Sequence, residues 1–573
     1  MELRSAVPER MPADLIIING KVVTVDSNFS IAQAVAVKGD KIVAIGRNDE
    51  IKALAGKKTK TIDLKDKTML PGMNDTHCHI SDWSLSRSLT LDVRYPIAKS
   101  IADIVKMVAK KAREVKPGEW VRGEGWDAGF LEECKADPKR LPSKEDLDRV
   151  APGIPVYLSE YSGHRILVNS KLLELAGITR DTPDPVGGKI GRNADTGELT
   201  GHLYEKACWL VRVMIPPWTA KQRLEALPHG MAELNSLGIT SFTDAVVDRD
   251  RWASYNDAYN EHFKSGKWTC RVNLMLMLAG FGQSNPEPIK EALKYVGCRH
   301  NFGNEWLRVA GAKLVGDGIP PLKTAWMYHE YVGGGVGFPT LNGNTVAEQE
   351  KNLRDSIRIL HQNRFQVGIH SCGERTIDVC HDQYMKCIEE DPWDARHYTV
   401  HSDFAMLETI KKVGEFGKRT GYELGMNVQS SIRWTISDFM ETVVGPEREA
   451  NHWPLRTMLD NGIHVTDSSD AAVTYPDWRQ GVQSAVLRES KATGKVSGPG
   501  QRITVKEAII NYTSNAAWLD HMENIKGSIE AGKLADFCVL DKDILTVDSH
   551  DIKDIRTLMT IVGGKVVYDA GAL

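Results

Sequence analysis

The residues able to do chemistry fall at the ends of short apolar runs. Asp75-Thr76-His77-Cys78-His79 closes the first run, Lys313 lies in the fourth, His370 ends the fifth, His401 the sixth, and Asp467-Ser468-Ser469-Asp470 the last. His77 and His79, two positions apart in an extended segment, aim their imidazoles the same way and make a pair of nitrogen donors for one metal. H-x-H alone is a weak signal; its place after an apolar run and Pro71-Gly72 strengthens it. A lysine taken out of water tends to shed its proton, so Lys313 offers either a neutral amine or an ion pair with Asp317. A carboxylate beside a metal-held water can accept its proton and return it to a leaving group, and Asp470 and Asp467 both qualify. Imidazoles, amine and carboxylate on one rim describe a metal centre that activates water, hence a hydrolase. His397 opens its run and should face the opposite rim, and His361 sits in a helical pattern that reads as surface. Cys78, between the two histidines, should point away from both and serve packing.

What must position these groups is a ring of strands. Eight candidates stand at 68–74, 239–244, 270–276, 307–315, 365–370, 397–401, 422–428 and 463–469, with helical patterns at 346–362, 405–416 and from Asp477 to Leu487. Strand–helix alternation predicts an α/β fold, a (β/α)₈ TIM barrel whose C-terminal rim carries the site. The first two strands are about 160 residues apart, too far for one helix or a bare loop, so 96–225 is expected to be an inserted subdomain between barrel strands 1 and 2. It carries a helix at 100–115 and extended pieces near 154–158. Its Trp120, Trp126, Tyr161 and His164 could wall a pocket or form the insertion's own core. Both ends read as strands. Asn19-Gly20 between two apolar runs signals a type I′ hairpin, and Gly563-Gly564-Lys565-Val566-Val567 echoes it. Short hairpins need partners, so 1–67 and 525–573 should meet in one composite β-sandwich, leaving 68–95 and 226–524 to the barrel. Gly333-Gly334-Gly335-Val336-Gly337 is followed by no Gly-Lys-Ser/Thr, so it is a turn or lid and not a phosphate loop.

Composition narrows the partners. The 573 residues are 42% hydrophobic and 26% charged with a net charge of −4 and no basic stripe, which argues against nucleic acid; the hydrolase reading leaves a small-molecule substrate as the expected partner. No apolar run of about 18 residues predicts a membrane span, and Met1-Glu2-Leu3-Arg4 opens no secretory leader. Nine scattered cysteines without a C-x-x-C pair suit a reducing compartment. The expected setting is cytoplasmic, with a homodimer left open.

Pro71-Gly72-Met73-Asn74-Asp75-Thr76-His77-Cys78-His79 resembles the first-strand motif of the amidohydrolase superfamily, and Gly527-Ser528-Ile529-Glu530-Ala531-Gly532-Lys533-Leu534-Ala535-Asp536 its return into the sandwich. Gly125-Trp126-Asp127, Ser162-Gly163-His164, Val168-Asn169-Ser170-Lys171, the run from Asp181 to Gly188 and Gly238-Ile239-Thr240 resemble the YtcJ-like branch, which includes N-substituted formamide deformylases. The resemblance spans nearly the whole chain. It implies His77, His79, Lys313, His370, His401 and Asp470 as metal ligands. Asp470 would also act as general base, through a Ser-Asp motif matched by Ser469-Asp470, and His164 would be a substrate-polarising residue. It further implies one or two divalent transition metals per chain, zinc first and manganese or iron as alternatives, with Lys313 N6-carboxylated as a bridge. The sequence departs from many relatives at Val400 (glutamate elsewhere), at Ser371-Cys372-Gly373-Glu374 and at Ala472 (proline elsewhere), none of which removes a ligand. The implied activity is hydrolysis at a carbonyl carbon, by default of the C–N bond of an amide, N-substituted formamide or cyclic amide. Ring-opening C–C hydrolysis of a cyclic 1,3-diketone is the alternative, and a non-catalytic binding or regulatory barrel the further one. Trp326 and Tyr328, past the fourth run, suggest a flat or apolar substrate or else packing.

Overall fold

The computed structural model describes residues 12–573 apart from 96, 117, 138, 162–164, 186–187 and 281–283. The chain forms two compact units, one running through Ile80 and resuming at Met231–Leu573, the other Ser81–Gly230. Among the described residues no helix is long and apolar enough to cross a membrane.

The first unit is built on a parallel sheet whose strands follow chain order: β1 Met73–Cys78, β2 Ile239–Val247, β3 Arg271–Leu276, β4 Leu307–Val315, β5 Val367–Ser371, β6 Tyr398–His401, β7 Gly425–Val428 and β8 His464–Asp467. These strands are buried on both faces, which is why they read as near-continuous apolar runs. Helices Val346–Gln362, Glu374–Glu390, Leu407–Thr420, Ser430–Val444 and Trp478–Leu487 intervene on the later half. The result is a nearly closed (β/α)₈ barrel. Its last gap, from β8 to β1, is bridged just past the strand ends by Asp470 N–H to the His77 carbonyl at 2.9 Å and His79 N–H to the Ala471 carbonyl at 2.5 Å.

The first barrel strand begins later than the apolar run 68–74 suggests. Thr68–Pro71 is a separate strand, paired with Lys21–Val23 and Phe537–Leu540. The chain changes sheets at Gly72, where a Cβ would meet the Thr240 Oγ1 at 2.1 Å. Two terminal sheets, one of Lys41–Gly46, Ala34–Lys38, Ala13–Ile18 and Ala55–Asp63, the other combining both chain ends, share a core that includes Ile17, Val35, Met69, Phe537 and Ile561. The Asn19-Gly20 hairpin does not form. Asn19 does turn with φ 55°, but Ala13–Ile18 pairs with Ala34–Lys38 and Ala55–Asp63, and Lys21–Val23 pairs in the other sheet. A two-layer sandwich needs a corner there, and the turn supplies one. Gly563-Gly564 does close a hairpin, between Thr557–Val562 and Lys565–Asp569.

Polar groups tie the barrel's lower end. Arg271 clamps Asp536 through two bonds of 2.6 and 3.0 Å and lies 4.3 Å over the Trp306 ring. His361, expected at the surface, is buried on its helix. Its Nδ1 lies 2.9 Å from His397 Nε2, whose Nδ1 accepts from Val367 N–H at 3.0 Å. His300 and His521 meet alongside with ring centroids 4.3 Å apart.

The second unit is a six-stranded sheet, from Gly188–Arg192 at one edge to Leu91–Asp92 at the other, with Val156–Glu160 and Val121–Trp126 inside. Helix Ile101–Ala112, capped by Ser100 and Asp103, packs in one of its cores. Trp126 is buried in that same core and Trp120 packs against the second, whereas Tyr161 is 45% exposed. His164 lies outside the described residues.

Candidate metal centre

Strand geometry sorts the first motif. Cys78 turns its thiol to the Thr243 carbonyl at 3.3 Å, away from the histidines. His77 Nε2 and His79 Nε2 lie 3.4 and 3.0 Å from one oxygen, Oδ1 of Asp470. That oxygen forms no hydrogen bond, and neither does His77 Nδ1, although both are buried. Ligands of a tetrahedral ion at about 2.0–2.1 Å stand roughly 3.3 Å apart. Lone-pair donors facing one another at this separation therefore fit a shared cation and make poor neighbours without one. His401 joins them: donor atoms of His77, His401 and Asp470 lie within 4.8 Å of one another.

The seam between β1 and β8 holds this geometry. Asp75 accepts from Ser469 N–H at 3.1 Å and Ser469 Oγ at 2.5 Å, which fixes the loop that carries Asp470. Asp470 and His401 have φ of 53° and 75°, a left-handed backbone that costs on the order of 1–3 kcal/mol per non-glycine residue and persists where surroundings over-determine it. Asp467, the rival carboxylate, faces elsewhere and accepts from Ser430 N–H at 3.0 Å and Ser468 N–H at 2.8 Å.

Electrostatics set the protonation. Burial, then the charge of Lys313, pulls His77 down to about 3, and the same causes bring His370 to about 4. Burial opposes ionisation of Asp470, but the imidazoles of His77, His79 and His401 that face it outweigh burial and hold the carboxyl well below its usual range. The His77–Asp470 pair thus rests as neutral imidazole and carboxylate. Burial lowers Lys313 to about 7 against the pull of Asp470. Neutral His77, His370 and His401, an ionised Asp470 and a lysine that sheds its proton readily are the forms that metal ligands must take, while burial of His79 is outweighed by Asp470, which raises that imidazole.

Lys313 does not pair with Asp317. Burial raises that carboxyl to about 7, and its oxygens accept from the N–H groups of Trp326, Cys372 and Gly373 and from Thr376 Oγ1, clamping the loops after β4 and β5. His370 Nε2 sits 3.1 Å from the Gly318 carbonyl, which leaves Nδ1 as its free donor, and its ring centroid is 4.4 Å from that of His401. Asp317, His370 and Cys372 form a second group of donors within 4.8 Å, but Asp317 is occupied by the loop. Glu374 accepts from Tyr328 N–H, His329 N–H and His329 Nδ1 and pins the same loop. Trp326 is 2% exposed under the Arg375 guanidinium, so it packs; Tyr328 is 44% exposed and bonds Asp378. The glycine run 333–337 is a tight turn, closed by Tyr331 N–H to the Gly335 carbonyl at 2.9 Å.

Two residues beside these ligands have no role that the sequence alone assigns. Gln429, at the end of β7, accepts from His401 Nδ1 at 2.7 Å. Cys372, 3.5 Å from His370 Nε2, lies on the side of that ring away from Nδ1.

The amidohydrolase family model matches residues 60–568. The chain is 27% identical over 570 residues to the N-substituted formamide deformylase of Arthrobacter pascens, covering 97% of this chain and 98% of that protein. It is 28% identical to the putative amidohydrolase YtcJ of Bacillus subtilis (strain 168), covering 94% and 96%. Its fold is similar to that of an uncharacterized metal-dependent hydrolase from Pyrococcus horikoshii OT3, with TM-score 0.71, 21% identity, and 94% and 99% of the two chains covered. The chain belongs to the amidohydrolase family.

Proposed function

We propose that this protein is a metal-dependent hydrolase that cleaves the C–N bond of an N-substituted formamide or a related amide. The observation that carries the reading is the meeting of His77, His79 and Asp470 donor atoms at 3.0–3.4 Å with no hydrogen bond to satisfy the carboxylate oxygen. The name of the Arthrobacter relative supplies the substrate class. His77, His79, His401 and Asp470 would hold one divalent ion, with zinc first, and His370 with a carboxylated Lys313 would complete a second position. A divalent ion in such a site polarises a carbonyl oxygen and makes water acidic enough to attack near neutral pH.

The chain's own groups do the rest. Asp470, ionised and held on the β1–β8 seam, takes the proton from the attacking water and returns it to the departing nitrogen. The reaction balances as R–NH–CHO plus water giving R–NH₃⁺ and formate, the formic acid proton ending on the amine. Burial keeps His77, His370 and His401 neutral, so they neither compete for that proton nor repel a cation.

Elemental analysis of protein purified without chelator, with a formate-release assay on a panel of N-substituted formamides, tests this. We expect one or two equivalents of transition metal, lost in His77→Ala, with formate release that follows metal content. Two equivalents falling to one in Lys313→Met would support the bridge. No uptake after reconstitution with zinc, manganese or iron plus bicarbonate would refute the metal reading; metal without formate or amine release would refute the substrate class.

A further inference from the structure

We infer that Gln429 is a positioning residue: it fixes His401 as the Nδ1–H tautomer and so turns a bare Nε2 into the centre. The inference rests on the metal reading above for its purpose, but not for its geometry.

A histidine next to an amide is ambiguous, since either end of the amide can face the ring and oxygen and nitrogen look alike. Here the surrounding bonds remove the ambiguity, beginning at backbone carbonyls whose role as acceptors is fixed. Asn427 Nδ2 donates to the Thr466 carbonyl at 3.4 Å, and also reaches Thr466 Oγ1 at 2.9 Å and Thr76 Oγ1 at 3.0 Å. Its Oδ1 must then face the other way, where Gln429 Nε2 lies 2.6 Å off and Ser468 Oγ 3.1 Å off. Ser468 Oγ also sits 3.2 Å from the Val428 carbonyl, a second fixed acceptor, so its hydroxyl proton is used there or on Asn427 and its lone pair receives Gln429 Nε2 at 3.0 Å. With both protons of its amide nitrogen committed, Gln429 can offer His401 only Oε1, at 2.7 Å from Nδ1. The proton belongs on Nδ1, and Nε2 keeps its lone pair.

The ring is held from both sides. Trp453 Nε1 donates to the His401 carbonyl, and the residue's left-handed φ of 75° sets the direction of its side chain. Asn427, Gln429 and Ser468 have no exposed surface, so water does not compete for these bonds. Partners of this kind orient ligating histidines, and their loss typically weakens metal affinity 10–100-fold. The line also reaches Thr76, the neighbour of His77, so the side chains of β7 bond to the strand that carries the first histidine pair.

The test compares wild type with Gln429→Met, which removes the acceptor, and Gln429→Glu, whose carboxyl oxygen faces Nδ1 in either protonation state. Two readouts are needed. ¹⁵N spectra of histidine-labelled protein, with the His401 signal assigned by its loss in His401→Asn, report the tautomer without metal. Cobalt(II) competition titration reports affinity. We expect Nδ1–H in wild type and Gln429→Glu, a mixed or reversed tautomer in Gln429→Met, and cobalt binding about 10–100-fold weaker in Gln429→Met alone. An unchanged tautomer and affinity in folded Gln429→Met would overturn the inference. So would equal losses in both variants, which would mean that the amide matters only for its shape. A wild type with the Nδ1–H tautomer that binds no cobalt would uphold the positioning role and refute the metal reading, so the two fail separately.

Discussion

The histidine cluster at the barrel's lower end should make the protein acid-sensitive, and His521→Asn isolates the effect. Burial, then the neighbouring His300 and the guanidinium groups of Arg396 and Arg308, depress His521 to about 2; burial takes His300 to about 4. A histidine whose folded pKa lies below its unfolded value of about 6.5 binds more protons unfolded than folded, so stability rises with pH across that interval. Its contribution is complete above pH 6.5 and is lost as the pH falls towards the folded value. Between pH 7 and 4.5, a histidine that stays neutral in the native state loses about 2–3 kcal/mol of stability relative to its unfolded form, from ~1.36 kcal/mol per pH unit below 6.5. His300 and His521 repel when both are charged, so their losses do not simply add. Carboxyls such as Asp75 and Asp317, raised to about 7 by burial, act in the opposite sense and blunt the total. The difference between wild type and variant cancels those terms. Asparagine suits the left-handed φ of 55° at 521 and carries no titrating group. Urea unfolding from pH 7.5 to 4.5, followed by tryptophan fluorescence, should show the variant gaining about 2–3 kcal/mol on wild type over that range. Parallel pH dependences would refute the reasoning, because they would mean that His521 finds its proton in the native state too.

Asp470→Asn should lower kcat about 10²–10⁴-fold, the usual worth of a positioned acid–base group, with the fold kept because the backbone bond to His77 remains; steady-state formate release and circular dichroism check this. Arg271→Met strands the buried Asp536 carboxylate and should cost about 3–5 kcal/mol in chemical denaturation, less when Asp536→Asn is added. Gly72→Ala pushes a methyl into Thr240 and should destabilise by about 1–3 kcal/mol, with Thr240→Ala restoring most of it in the same assay.

The barrel was legible because parallel strands buried on both faces leave apolar runs, and its later helices because apolar residues recur at helical spacing between those runs. Errors arose where the deciding contact is distant in sequence. Nothing local says that Thr68–Pro71 belongs to the terminal sheet, because its partners include Phe537–Leu540. Asn19-Gly20 has the chemistry of a turn but no power to choose which strands pair afterwards. His361 read as surface from its helical register, yet its partner, His397, comes from the segment just before β6. In the site, residues with titratable or metal-binding side chains stood out by type, whereas Gln429 and Asn427 are ordinary amides whose role exists only in who faces them.

One structural economy explains why closure and site coincide. A barrel must join its first strand to its last, and in this chain the joining bonds run through the candidate ligands: Asp470 N–H to His77, His79 N–H to Ala471, and Ser469 to Asp75. Any shift of β8 against β1 would therefore move Asp470 relative to both imidazoles by the same amount, and a cation shared among them would resist the shift. Metal uptake should thus stabilise this seam by mass action, with the logarithm of the ratio of metal concentration to its dissociation constant.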